Sequence, residues 1–181
     1  MPHLETTEVA LTVPSGSQTA GPFFRIALHR PQWEDLTPRL EGAPVRIEGR
    51  LLDGDGAPVP DGMLEIWQAD AEGNYADGTM RGFGRICTGE RGEFAITTVI
   101  PGAVGDHAPH LNVSIFARGL LKALVTRIYF ADRTAENAQD PVLKLVPEAR
   151  RSTMLATPAG NGAYRFDIIL QGRGETVFFE M

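Results

Sequence analysis

The sequence predicts an all-β domain folded as a β-sandwich with a short helical insertion. Three observations carry this. Twenty glycines and 13 prolines cluster between short apolar runs. Those runs alternate or concentrate apolar residues at strand length. A hydrophobic content of 43 % beside 22 % charged residues is globular, and 181 residues can bury one core without metal or disulfide staples.

"VRIEGRLLD" places Val45, Ile47 and Leu51 on one face and Arg46, Glu48 and Arg50 on the other, the pattern of a half-buried strand. The following "DGDGAPVPDG" (53–62) resembles a calcium loop. However, Gly62 stands where the bidentate glutamate is needed, so a hairpin turn is predicted. "MLEIWQAD" (63–70), "GRICTG" (84–89), "GEFAITTVIPG" (92–102), "HLNVSIFARG" (110–119), "ALVTRIYF" (123–130) and "AYRFDIILQG" (163–172) read as strands, and "ETVFFEM" as a closing strand. Residues 132–157 are the helical insertion, which Pro141 and Pro147 break into short pieces. "PSGSQTAGPFF" (14–24) has two open readings: a mobile arm, or a segment held against a surface that hides Phe23 and Phe24.

A net charge of −6 argues against nucleic-acid or anionic-membrane binding, which needs a basic face. No stretch has the length of a membrane span. The opening "MPHLETTEVALTV" lacks a cationic run before a long apolar core, and Cys87 has no partner thiol, so a cytoplasmic chain is expected with Cys87 as an apolar strand filler. No GxSxG elbow, HExxH or Walker-type loop occurs.

Of the four histidines, only His107 and His110 lie near a strand that could build a site. Strand alternation puts Leu111, Val113, Ile115 and Ala117 toward the core, and His110, Asn112, Ser114, Phe116 and Arg118 on the opposite face. A metal-binding strand uses positions i and i+2, but the Asn112 amide oxygen is a weak ligand for a transition metal. On its residues alone, His110 is either a hydrogen-bonded structural group or a ligand. Tyr75 would serve as a ligand only to a strong Lewis acid such as Fe(III). Arg118 is either a solvated edge charge or a bidentate clamp for a carboxylate.

Taken together, "SQTAGPFF" (17–24), "EIWQADAEGNYAD" (65–77), "FGR" (83–85), "APHLNVSIFARG" (108–119), "TRIYF" (126–130) and "YRFDIILQGRGETVFFE" (164–180) resemble the intradiol ring-cleaving dioxygenases, specifically an α-type subunit. The resemblance implies a mixed β-sandwich at 17–181 behind an arm at 1–16, paired with a homologous β subunit in a repeating αβ assembly. It implies cleavage of 3,4-dihydroxybenzoate by O2 to 3-carboxy-cis,cis-muconate. The family's Fe(III) is held by two tyrosines and a His-x-His strand. Tyr75 and His110 match one tyrosine and the first histidine, but Asn112 replaces the second histidine, and Ala103 and Val104 stand where the second tyrosine belongs. The resemblance therefore assigns the iron to the partner β subunit, with no metal here and no activity in this chain alone. It places Arg118, Thr19, Gly21 and Pro22 at the shared substrate pocket. The other readings are a non-catalytic β-sandwich binding or scaffold module, and a single-chain dioxygenase with unusual ligands.

Overall fold

The computed structural model describes residues 21–75 and 79–180. Nine strands form one mixed sheet that folds over on itself. They are β1 (Pro44–Leu52), β2 (Met63–Gln68), β3 (Phe83–Cys87), β4 (Glu93–Val99), β5 (His110–Phe116), β6 (Leu124–Phe130), β7 (Leu155–Gly160), β8 (Ala163–Arg165) and β9 (Ile168–Ile169). The order is β3-β2-β5-β6-β7-β8-β1-β4 with β9 beside β1, and the end strands β3 and β4 come back into contact. Between the two halves lies the core. Ile47, Leu51, Phe94 and Ile96 of one half meet Leu64, Ile66, Leu111, Val113, Ile115 and Phe130 of the other. Each such side chain, fully buried, contributes about 1.5–3 kcal/mol.

The mixed character expected of the sandwich is present. β6 pairs with β7 in parallel, as β1 does with β8 and β9. A parallel pair needs a long crossover, and the helical insertion supplies the one from β6 to β7. It breaks where the prolines predict: α2 (Thr134–Gln139) gives way to α3 (Pro141–Leu145), with Pro141 in its first turn, and Pro147 precedes α4 (Glu148–Arg151). Ahead of the sheet lies a further helix, α1 (Pro22–Leu28).

On β1, Val45, Ile47 and Leu51 are buried as the alternation predicts. Gly49 sits among them because Phe166 crosses so closely that a Cβ would meet its carbonyl oxygen at 1.6 Å.

Several boundaries differ from expectation. Residues 155–157, expected to be helical, open β7. The run 163–172 splits into β8 and β9, because at the break the Asp167 carboxylate, not a backbone carbonyl, accepts from the Arg50 N–H at 2.8 Å. The closing segment is no strand. It makes one bridge, Phe179 to Val125, and there the Phe179 N–H donates to the Val125 carbonyl at 2.8 Å. The 53–62 turn does fold back locally, with a Leu52–Pro58 bridge. Yet β1 and β2, which it joins, pair with other strands. Among the described residues no helix is long and apolar enough to cross a membrane.

Candidate functional site

β5 and β6 pair so that His110 lies opposite Tyr129 and Asn112 opposite Arg127. Since residues two apart share a face, these four stand together on the side turned away from the main core. That face was expected to be polar, but the insertion covers its His110 end: Ala108, Tyr129, Leu143, Val146 and Met154 form a second apolar cluster there. His110 is 3 % exposed and Tyr129 fully buried.

A chain of hydrogen bonds crosses the face. The Asn112 amide donates to the Tyr75 hydroxyl at 2.9 Å and to the Trp67 carbonyl at 3.2 Å. Its carbonyl oxygen accepts from Arg127 Nε at 3.2 Å. Arg127 Nη1 donates to the Tyr129 hydroxyl at 3.2 Å and to His107 Nδ1 at 3.3 Å. Tyr129 donates in turn to the Asp140 carboxylate at 3.1 Å.

Asp140 is fully buried and caps α3, accepting from the backbone N–H groups of Val142 and Leu143, each at 2.8 Å. Its other oxygen accepts from the Ala108 N–H at 2.9 Å. Burial opposes its charge, but the Leu143, Ala108, Tyr129 and Val142 donors outweigh burial and hold the carboxyl below its ordinary range. Burial also pushes the Tyr129 phenol well up, against the Arg127 hydrogen bond. For His110, burial lowers the imidazole to about 4. Its Nδ1–H donates to the Ala108 carbonyl at 2.7 Å, the bond of a neutral structural histidine.

Tyr75 is carried by the loop after β2. The Asp70 carboxylate accepts from the N–H groups of Glu72 at 3.0 Å and Asn74 at 2.9 Å. Gly73, at φ +87°, lies so close to the 101–104 loop that a Cβ would meet the Ala103 carbonyl oxygen at 2.0 Å. Tyr75 stacks on Trp67 with centroids 6.3 Å apart and shares a cleft with Val104.

These residues do not suit Fe(III). Tyr75 faces the donating amide of Asn112, and Asn112 binds a guanidinium on its other side. A fixed cation in the same cluster opposes a trivalent metal. Among the described residues no group of three or more His, Cys, Asp or Glu side chains is placed to hold a metal ion.

Arg118 lies apart from this cluster. β5 ends at Phe116, and Arg118 sits in the turn beyond it, at the other end of the strand from His110. The expectation that it shares a strand face with His110 and Asn112 is corrected, because the alternation stops where the strand does. Its side chain is 63 % exposed and pairs with the carboxylate of Asp61. Gly21 is exposed and begins the 22–28 helix, with Pro22 in the first turn. Thr19, the rest of the 14–20 loop and the 1–16 arm lie outside the described residues.

Residues alone did not single out Arg127 or Asp140. The available signals were Asp140-Pro141, a cap followed by a first-turn proline, and the two-residue spacing of Arg127 and Tyr129 on a strand paired with His110-x-Asn112.

A nearly closed mixed sheet with a cross-strand His/Asn and Tyr cluster on its outer face defines a class. A family model described as Dioxygenase matches residues 30–172, and the chain belongs to that family, the intradiol ring-cleaving dioxygenases. Within it, the chain is similar to the protocatechuate 3,4-dioxygenase alpha chain of Burkholderia cepacia, 41 % identical over 91 % of this chain and 96 % of that one. It is also similar to the protocatechuate 3,4-dioxygenase beta chain of the same organism, 33 % identical over 75 % of this chain and 67 % of that one. Among solved structures, the dioxygenase domain of a dioxygenase carbohydrate-binding protein fusion from Streptomyces sp. SirexAA-E superposes with a TM-score of 0.61 at 26 % identity, covering 88 % of this chain and 99 % of that one.

Proposed function

We propose that this chain is the α subunit of a protocatechuate 3,4-dioxygenase, working in the cytoplasm with a homologous β subunit. The pair would cleave 3,4-dihydroxybenzoate with O2 to 3-carboxy-cis,cis-muconate. The observation that carries the reading is similarity to an alpha chain over nearly the full length of both chains, joined to a cluster whose donors do not suit iron. On this reading the β subunit holds the Fe(III), which acts as a Lewis acid on the bound catecholate. This chain's own part is to complete the pocket wall and orient the substrate.

Arg118 is proposed to bind the substrate carboxylate, with Thr19, Gly21 and Pro22 shaping the pocket beside it; residues 17–181 act as one domain behind the 1–16 arm. Arg118 is exposed on a turn, open to a partner's pocket, and its guanidinium is paired with the Asp61 carboxylate, which a substrate carboxylate would displace. The test is co-expression with the homologous chain of the same source. Ring cleavage by the purified pair and none by this chain alone is the expected result. Activity in this chain alone, or none in the pair, would overturn the reading.

A further inference from the structure

Above Arg127 lies a cleft of about 530 Å³, within the range of small-molecule sites. Its walls are apolar, with Val125, Val142, Val146 and Phe179 among them, and Arg127 and Asn112 are the polar groups lining it. Arg127 is the only charged residue among the described residues of that lining. Leu145, 85 % exposed, adds an apolar rim.

The charge of Arg127 is not matched at close range. Its partners are the Asn112 carbonyl, His107 Nδ1 and the Tyr129 hydroxyl, and it has no ion pair to a carboxylate among the described residues. Asp140 is reached only through Tyr129 and through His107, whose Nδ1 lies 3.6 Å from its carboxylate, and its oxygens already accept from three backbone N–H groups as well. Nε and Nη1 hold the guanidinium in place, while Nη2 makes no hydrogen bond to a described residue. A cation immobilised in this way has already lost the side-chain freedom that binding an anion would otherwise cost. A planar guanidinium with unused N–H groups fits a carboxylate. A phosphate dianion would call for a second cation, and the apolar walls call for a hydrocarbon body instead.

We propose that the cleft over Arg127 binds a small organic carboxylate with an apolar body, such as an aromatic acid, held by the Arg127 guanidinium without chemical change. The site requires neither iron nor O2, so it stands or falls separately from the functional reading above.

The test is a ¹⁹F NMR titration of the purified full chain, alone or with any chain that co-purifies, using 4-fluorobenzoate. The uncharged 4-fluoroanisole serves as the matched control. Saturable binding of 4-fluorobenzoate alone is expected. Arg127→Gln should weaken it by about tenfold or more. Val142→Trp, which fills the cleft and leaves Arg127 in place, should abolish it, and circular dichroism confirms that each variant is folded. Absence of saturable binding by the folded wild-type chain would overturn the proposal. Equal binding of both probes would do so too, and would mark the cleft as an apolar docking face. A bound signal broadened by iron on a co-purifying chain and indifferent to Arg127→Gln would also count against it.

Discussion

The side-chain amide of Asn112 donates to the hydroxyl of Tyr75 at 2.9 Å, so these two side chains satisfy each other directly. The other end of the same amide accepts from Arg127. An amide joining a phenol to a guanidinium offers one donor face and one acceptor face, and both are in use. The arrangement is a closed polar network with its own cation.

Asn112→His restores the His-x-His spelling but not a metal site, because Arg127 and the missing second tyrosine remain. It also removes the bonds to Tyr75, the Trp67 carbonyl and Arg127. The expected result is a loss of about 1–3 kcal/mol in unfolding free energy, with no stoichiometric iron. Urea titration and metal analysis check it. A full equivalent of iron in this variant would show that the network does not oppose the metal.

His110 predicts a pH dependence. Its imidazole titrates at about 4 in the folded chain, against about 6.5 when unfolded, so between those values the unfolded state binds the extra proton. Stability is therefore full above about 6.5 and falls as pH drops through this window, by up to about 3 kcal/mol from this group. Urea titrations at pH 7.5 and 4.5 read it out. His110→Gln should flatten the difference, and an unchanged slope in that variant would contradict the assignment.

Asp140 acts over a more acid range. Its folded carboxyl lies below the ordinary value, so its contribution is present above the unfolded value of about 3.9 and is lost as pH falls through the lower folded value. Asp140→Asn replaces one accepting oxygen with an NH2 that faces either Ala108 N–H or the α3 cap. A loss of about 2–4 kcal/mol at neutral pH is expected, together with a shallower acid limb. Thermal unfolding across pH 2–7 measures both.

Arg118 and Asp61 give a prediction of opposite signs. If Arg118 binds the substrate carboxylate in the assembled enzyme, Arg118→Ala raises KM for 3,4-dihydroxybenzoate by about tenfold or more with little change in iron content. Asp61→Asn removes the competing carboxylate and should lower KM. Steady-state kinetics on the co-expressed pair decide; KM unchanged in both variants would return Arg118 to an edge charge paired with Asp61.

Local pattern made part of this fold legible. The alternation of Val45, Ile47 and Leu51 and the breaks at Pro141 and Pro147 are short-range properties, and the structure has them where the sequence puts them. What the pattern could not carry was the covering of a face. His110 lies on the strand face turned away from the core, and it is buried because a segment some thirty residues later, around Asp140, folds over it. The Arg127–Tyr129–Asp140 chain depends likewise on strand register and on a crossover. Arg118 was misplaced for a simpler reason: β5 stops at Phe116, and alternation has no meaning in a turn. "ETVFFE" has strand composition, but its backbone pairs with β6 at a single bridge, Phe179 to Val125, beside one side-chain bond from the Thr126 hydroxyl to the Val177 carbonyl.

The central claim is the proposal that the β subunit, and not this chain, holds the iron, because a guanidinium and an amide occupy the Tyr75–His110 cluster here. The most direct measurement is iron per chain, with the visible tyrosinate-to-iron charge-transfer band, on this chain purified alone and after co-expression with the homologous chain. The account predicts a colourless, iron-free chain alone and one equivalent of iron with the coloured band in the pair. An equivalent of iron and the band in the isolated chain would contradict it.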